Sequence, residues 1–326
     1  MTQKSVNREI KSKQFLHLVE SFTIWLETLG YKARSIKQMN WNAQEFFAFL
    51  EAQGSHSLRD FKNKQVNQYL EYLQHRPNCN KTGSLSPGYI NKHITMLRLL
   101  SKYLQLTEKA NILIKPQLLK TTETATYLTK AEIQTLYQAA KDENNLYNQR
   151  DTAMLDIFYG CGLRASEGAA LNLSDLLFEK NLLYVRKGKG YRERYVPMSK
   201  QVKADLQEYI INQRTHLLNA KQSKAPDQSS QALLLGRGGI RWSMQGMYHR
   251  LQLLKSKTNN EMLKQKSFGL HILRHSIATH LLQDGMKLEY ISRFLGHKSL
   301  ETTQKYTHLV HRSLGEDGLS IEQDGF

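Results

Sequence analysis

Over roughly the first hundred residues, apolar side chains recur every three to four positions. Phe15, Leu16, Val19, Phe22, Trp25, Leu26 and Leu29 trace one helical face that stops at Gly30, a residue suited to a helix C-terminus. Ser35 is the expected cap of a second helix through Ile36, Met39, Ala43, Phe46, Phe47 and Leu50, closing near Gly54. A shorter third helix passes through Val66, Tyr69, Leu70 and Leu73. Ser86-Pro87 then supplies a cap and a first-turn proline for a fourth, which carries Ile90, Ile94, Leu97, Leu100 and Leu104. The opposite face of that helix offers Asn91, Lys92, Thr95 and Arg98, which can serve phosphates and groove edges or simply meet water. The period lapses over 107–126, where polar, β-branched 121–126 suits an extended linker.

A second domain begins at Tyr127, with Thr129 and Glu132 at capping-box spacing. The apolar run 153–159 predicts a buried helix closed by Gly160-Cys161-Gly162. Segments 182–186 and 191–197 predict paired strands around Lys187-Gly188-Lys189-Gly190. Ser199 caps a helix through Val202, Leu206, Tyr209 and Ile210, and 219–231 is a polar loop. Ser243 caps a helix to about Lys255, and amphipathic helices span 270–283, closed by Asp284-Gly285, and 288–295, closed by Gly296. Ser299 starts a short helix leading to Tyr306. The expected organisation is therefore a tail (1–12), a helical domain (13–106), a linker (107–126), a second domain (127–312) and an acidic flexible tail (313–326). The fold class is mainly α with a small antiparallel β-sheet.

Charge narrows the function. Lys and Arg number 46 against 29 Asp and Glu, a net +17. The surplus divides evenly, +9 over 1–126 and +8 over the rest, whereas 313–326 holds Glu316, Asp317, Glu322 and Asp324 with no base. Excess positive charge in both halves points to a long polyanion, duplex DNA above all. No apolar run approaches the ~18 residues of a membrane span. No secretory signal is visible, and Cys79 and Cys161 are too few for a disulfide framework, so a cytoplasmic protein is expected.

The residues that can carry chemistry lie at helix and hairpin ends of the second domain. Arg164 follows Gly162-Leu163 and precedes Ala165-Ser166-Glu167. Lys189 lies at a Gly-flanked hairpin tip, ahead of Tyr191-Arg192-Glu193-Arg194-Tyr195-Val196-Pro197. His271 and Arg274 share a helix face in His271-Ile272-Leu273-Arg274-His275-Ser276-Ile277-Ala278-Thr279-His280. His297 follows Leu295-Gly296, and Tyr306 stands in Thr303-Gln304-Lys305-Tyr306-Thr307-His308. Singly, each is an ordinary surface or rim residue. In this order and spacing, from Arg164 to His308, they closely resemble the motifs of the tyrosine recombinases, or phage-integrase family. The resemblance covers about 13–312, by motif in the second half and by helical pattern alone in the first.

That resemblance implies an N-terminal four-helix, SAM-like core-binding domain and an α+β catalytic domain. It also implies a catalytic set of Arg164, Lys189, His271, Arg274, His297 and the nucleophile Tyr306. The chemistry agrees. Attack on a phosphodiester builds negative charge that guanidinium forks at Arg164 and Arg274 can hold, with His297 adding a hydrogen bond. A cationic pocket favours the phenolate of Tyr306. By resemblance, His271 acts as acceptor or general base and Lys189 protonates the departing 5′-oxygen. The product is a 3′-phosphotyrosyl link and a free 5′-hydroxyl, religated through a Holliday junction by a homotetramer on paired half-sites, with neither metal nor nucleotide. Glu167 is expected to brace Arg164, with an ordinary helix-face pair as the alternative. Lys187, Arg192 and Arg194 join the fourth-helix residues as DNA contacts.

No cofactor is expected. Gly236-Arg237-Gly238-Gly239 lacks the Walker pattern, and His271, His275 and His280 lack a carboxylate at zincin spacing. With about 12 residues ahead of the first helix, the chain is expected to be a simple bidomain enzyme of the Xer or mobile-element type, without an arm-binding domain. Gly168-Ala169-Ala170 departs from the bulkier residues common in relatives and is expected to loosen packing there. The C-terminal segment is expected to dock briefly on a neighbour before an acidic tail. Two other readings remain open, a type IB topoisomerase-like enzyme and a non-catalytic regulator using 288–305 as a helix-turn-helix.

Overall fold

The computed structural model describes residues 6, 8–58, 63–79, 82–108, 116–119, 127–186, 193–219 and 230–296. Lys187, Lys189, Arg192, His297, Tyr306, the expected short helix from Ser299 and the acidic tail lie outside them. The chain forms two compact units, Met1–Glu123 and Thr124–Phe326.

The first unit is helical. Helices α1 (Lys13–Thr28), α2 (Ala33–Ala52), α3 (Asn63–His75) and α4 (Pro87–Leu106) bury the faces their periodicity marks. Phe15, Phe22, Phe46, Phe47, Tyr69, Leu97 and Leu100 are fully buried in the shared core. Ser12 caps α1, and the Glu51 carboxylate accepts the Lys11 and Ser12 amides at 2.9 and 2.7 Å. Ser86 and Pro87 start α4 as expected. Ser35 does not cap α2. The helix begins at Ala33, and the Ser35 amide already donates to the Lys32 carbonyl at 2.8 Å within the first turn.

A buried polar network crosses this core. Arg76 Nε donates to Glu45 at 2.8 Å, and the Tyr69 hydroxyl lies 2.9 Å from Nδ1 of fully buried His93. Burial, then the charges of Arg76, Arg8 and Lys92, push the His93 imidazole down to about 3, so it is neutral.

The second unit surrounds a small antiparallel sheet with helices. Its helices are α5 (Lys130–Lys141), α6 (Asn148–Leu155), α7 (Ala165–Ala170), α8 (Lys200–Tyr209), α9 (Thr215–Asn219), α10 (Met244–Lys257), α11 (Glu261–Gln265), α12 (Leu270–Gln283) and α13 (Leu288–Leu295). The predicted Thr129–Glu132 capping box forms at α5. The sheet runs β1 (Leu176–Leu177), β2 (Leu182–Val185), β3 (Arg194–Pro197), with Leu182 opposite Pro197 and Val185 opposite Arg194. The sequence pattern carried the strands on through 186 and 193, which are not strand, and over 191–192, which lie outside the described residues, and it did not indicate β1. The helix expected over 153–159 starts earlier, at Asn148, and its last turn widens into a π-turn, Asp156–Gly160, closed by the Cys161 amide on the Asp156 carbonyl at 2.7 Å. Helices α12 and α13 end at Asp284-Gly285 and Gly296 as the pattern indicates. No helix among the described residues is long and apolar enough to cross a membrane.

Candidate active site

The π-turn delivers the chain into a tight bend that aims Arg164. Gly162 adopts φ +61°, and a Cβ there would stand 2.8 Å from the Phe294 ring. Glycine is therefore required both by conformation and by the close approach of α13. Leu163, fully buried, anchors the next residue, and Arg164 occupies the cap position of α7. The Glu167 carboxylate folds back to accept the Arg164 amide at 3.0 Å and Arg164 Nη1 at 2.9 Å. The Arg164–Glu167 ion pair is thus formed.

Helix α12 brings the second guanidinium to the same place. Arg274 sits on its inner face with a side chain 4% exposed. Nη1 donates to the Gly162 carbonyl at 2.6 Å and Nη2 to the Leu295 carbonyl at 2.7 Å, while Nη1 lies 3.9 Å from Glu167. Arg274 thereby holds both the Arg164 bend and the end of α13. His271, one turn earlier, faces outward. Desolvation, then Arg274 and Arg164, push its imidazole below the ordinary value, which favours the neutral ring that can accept a proton.

Arg194 departs from expectation. As a DNA contact it would face solvent, yet its side chain is 8% exposed. Nη1 and Nη2 donate to the two oxygens of Glu167 at 3.2 and 3.0 Å, and Nε donates to the Phe294 carbonyl at 3.0 Å. The reason is pairing: a carboxylate desolvated beside Arg164 requires more cationic donors than one residue supplies. Burial by itself would raise the Glu167 carboxyl, but the Arg194 bonds and charge, with those of Arg164, bring it down to about 2.

On α4, most of the expected contact face turns to another use. Asn91 exchanges two hydrogen bonds with the Leu119 backbone, at 2.9 and 2.8 Å, and Arg98 donates to the Pro116 carbonyl. Thr95 donates to the Asn91 carbonyl at 2.8 Å. Asn91 and Arg98 thus hold residues 116–119, while Thr95 bonds within its own helix, and Lys92, Thr95 and Arg98 are exposed, with Lys92 near the Tyr89 ring. Nor does Gly168 loosen its surroundings. The Phe158 ring fills the space, and a Cβ would come within 2.5 Å of it. Sequence reading also missed Arg241, which donates to the carbonyls of Ala169 and Leu171 at 3.1 and 2.8 Å and so supports the end of α7. A lone arginine in a polar turn carries no local signal of that role. His280 points into the core, with Nδ1 2.9 Å from the Tyr159 hydroxyl.

The structure thus gathers Arg164, Glu167, Arg194 and Arg274 into one cluster, with His271 beside it. The sequence profile of the phage integrase family matches residues 126–312. Tyrosine recombinase XerC of Lacticaseibacillus casei is 31% identical over 298 residues, covering 90% of this chain and 94% of that protein. XerC of Oceanobacillus iheyensis is 30% identical over 283 residues, covering 84% and 86%. XerC of Chlamydia trachomatis serovar D is 40% identical over 171 residues, 52% of this chain and 50% of that protein, so the match spans about half the length of that relative. Among solved structures, the Tn1549 transposon integrase in complex with circular intermediate DNA superposes with a TM-score of 0.71 at 21% identity, covering 91% of this chain and 98% of that one. The XerH recombinase bound to palindromic difH substrate gives 0.68 at 19% identity, covering 95% and 89%. At those identities the likeness is one of fold.

Proposed function

The chain belongs to the phage integrase family of tyrosine recombinases, and on that premise we propose that it cuts and rejoins duplex DNA at paired half-sites by transesterification. Tyr306 attacks a backbone phosphorus and the 5′-oxygen departs, leaving a 3′-phosphotyrosyl bond. A second strand's 5′-hydroxyl later reverses the step, so the energy of the broken bond is conserved and no nucleotide or metal is consumed. Exchange of two strand pairs in turn passes through a Holliday junction and calls for four protomers.

The observation that carries this reading is the convergence of Arg164 and Arg274 on one buried carboxylate at the junction of α7, α12 and α13. A guanidinium has five donors in a planar fork, so one steadied from behind by Glu167 or by carbonyls can also face a phosphate. Arginines held before substrate arrives need no reorganisation when the phosphorane forms. His271, neutral at physiological pH, suits a proton acceptor, and Lys189 suits the acid for the leaving oxygen. His297 would add a hydrogen bond to the phosphorane. The net charge of +17 supports grip along the DNA.

The test begins with the Tyr306→Phe protein, used to select its duplex site from a randomised library. Wild-type protein mixed with a nicked form of that site, in EDTA and without nucleotide, should give an SDS-stable protein–DNA adduct; the Tyr306→Phe protein should bind the site and give none. An adduct in that variant would move the nucleophile elsewhere. No adduct with wild type would leave a DNA-binding regulator.

A further inference from the structure

We infer that Arg194 is a positioning residue for the proposed cleavage step: it ties the strand that follows Lys189 to the turn that precedes His297, and fixes the carboxylate against which Arg164 rests. The inference depends on the recombinase reading above and adds a residue to it.

Three elements meet on this side chain. It starts β3, five residues after Lys189 in the chain. Its fork closes on both Glu167 oxygens at 3.2 and 3.0 Å, an arrangement that fixes orientation as well as distance. Its Nε reaches the Phe294 carbonyl, in the last turn of α13, at 3.0 Å. Beyond that turn, Gly296 adopts φ +66°, and a Cβ there would stand 2.8 Å from Arg194 Cδ and 2.9 Å from Nη1. The arginine stem therefore runs directly across the glycine before His297. Arg274 binds the adjoining Leu295 carbonyl at 2.7 Å, so neighbouring carbonyls of one turn are held by two arginines that share Glu167.

The fork faces inward, so Arg194 affects the reaction through Glu167 and the α13 turn. Two variants separate this from a phosphate contact. Arg194→Met should bind the selected site with unchanged affinity and salt dependence, yet form the adduct about a hundredfold more slowly at saturating DNA, as expected when supporting groups let catalytic ones shift by an ångström. Arg194→Lys keeps the charge and loses the fork, and should fall between the two while melting close to wild type. It carries the test if the methionine variant does not fold.

The pH profile supplies a readout that general destabilisation would not move. Glu167 is faced by Arg164, Arg194 and Arg274, with His271 nearby. Without Arg194 its carboxyl rises, so the mutant-to-wild-type rate ratio should fall between pH 8 and pH 5.5. Adduct formation at the wild-type rate in both variants, or a flat ratio, would overturn the inference alone. Weaker binding with a salt slope lower by about one would assign Arg194 to a phosphate and also overturn it. Absence of an adduct from wild type itself would remove the recombinase reading and this inference with it.

Discussion

Replacing Glu167 with glutamine tests whether one carboxylate organises the arginine cluster. The side chain is 7% exposed and accepts from the Arg164 amide, Arg164 Nη1 and both Nη atoms of Arg194. An amide of the same shape would keep one acceptor and turn an NH₂ donor towards guanidinium donors. A carboxyl brought from 4.5 to about 2 represents about 3 kcal/mol of stability at pH 7, and removing one partner of a buried pair costs about 3–5 kcal/mol. Because the folded value is depressed, this contribution is complete above about pH 4.5 and drains away as the pH falls towards 2. Urea unfolding of wild type and Glu167→Gln, followed by circular dichroism at pH 7, 5 and 4, should show a gap near 3 kcal/mol that holds to pH 5 and then narrows. A gap below about 1 kcal/mol at pH 7, or one that widens on acidification, would refute the reasoning.

Three further outcomes are expected. His93 is neutral in the folded state down to about pH 3, while an unfolded imidazole takes up a proton near 6.5, so wild type should lose up to about 1.4 kcal/mol per pH unit below 6.5. His93→Gln should flatten that slope in pH-dependent urea melts. Asp156 runs the opposite way: burial, opposed by the Tyr137 hydrogen bond, lifts its carboxyl to about 8, so folding loses stability as pH rises from 4 towards 8. Asp156→Asn, which retains an acceptor for the Tyr137 hydroxyl, should gain on wild type by up to about 1.4 kcal/mol per pH unit across that window. Gly168→Ala should cost about 1–3 kcal/mol in the same melts, because its methyl would meet the Phe158 ring. Unchanged stability there would show that the ring moves aside freely.

Helix existence and several boundaries were legible because local chemistry sets them. The limits of α12 and α13 follow from amphipathic periods ended by Gly285 at φ +83° and Gly296 at φ +66°, and the Ser86 and Thr129 caps act within three residues of themselves. Ser35 misled because a serine in the first turn carries the same signature as one at the cap; the chain entered α2 three residues sooner. Strand β1 has two residues, too few for any alternation to register. The spacing of Arg164, Glu167, His271 and Arg274 was visible as a motif, since each pair lies within one turn of a helix.

What the chain order alone determined is most of the helices, their glycine stops, and which residue types carry the proposed chemistry. Which way a charged side chain faces was decided by tertiary structure. Arg194 lies in a basic hairpin segment and reads there as a DNA contact, but its partners are Glu167, 27 residues away, and the Phe294 carbonyl, 100 residues away. Asn91 and Arg98 likewise turn to backbone carbonyls of residues 116–119, beyond the end of their own helix. Desolvated carboxylates and carbonyls take the nearest donors that the packed chain presents, and sequence distance places no limit on where those donors come from.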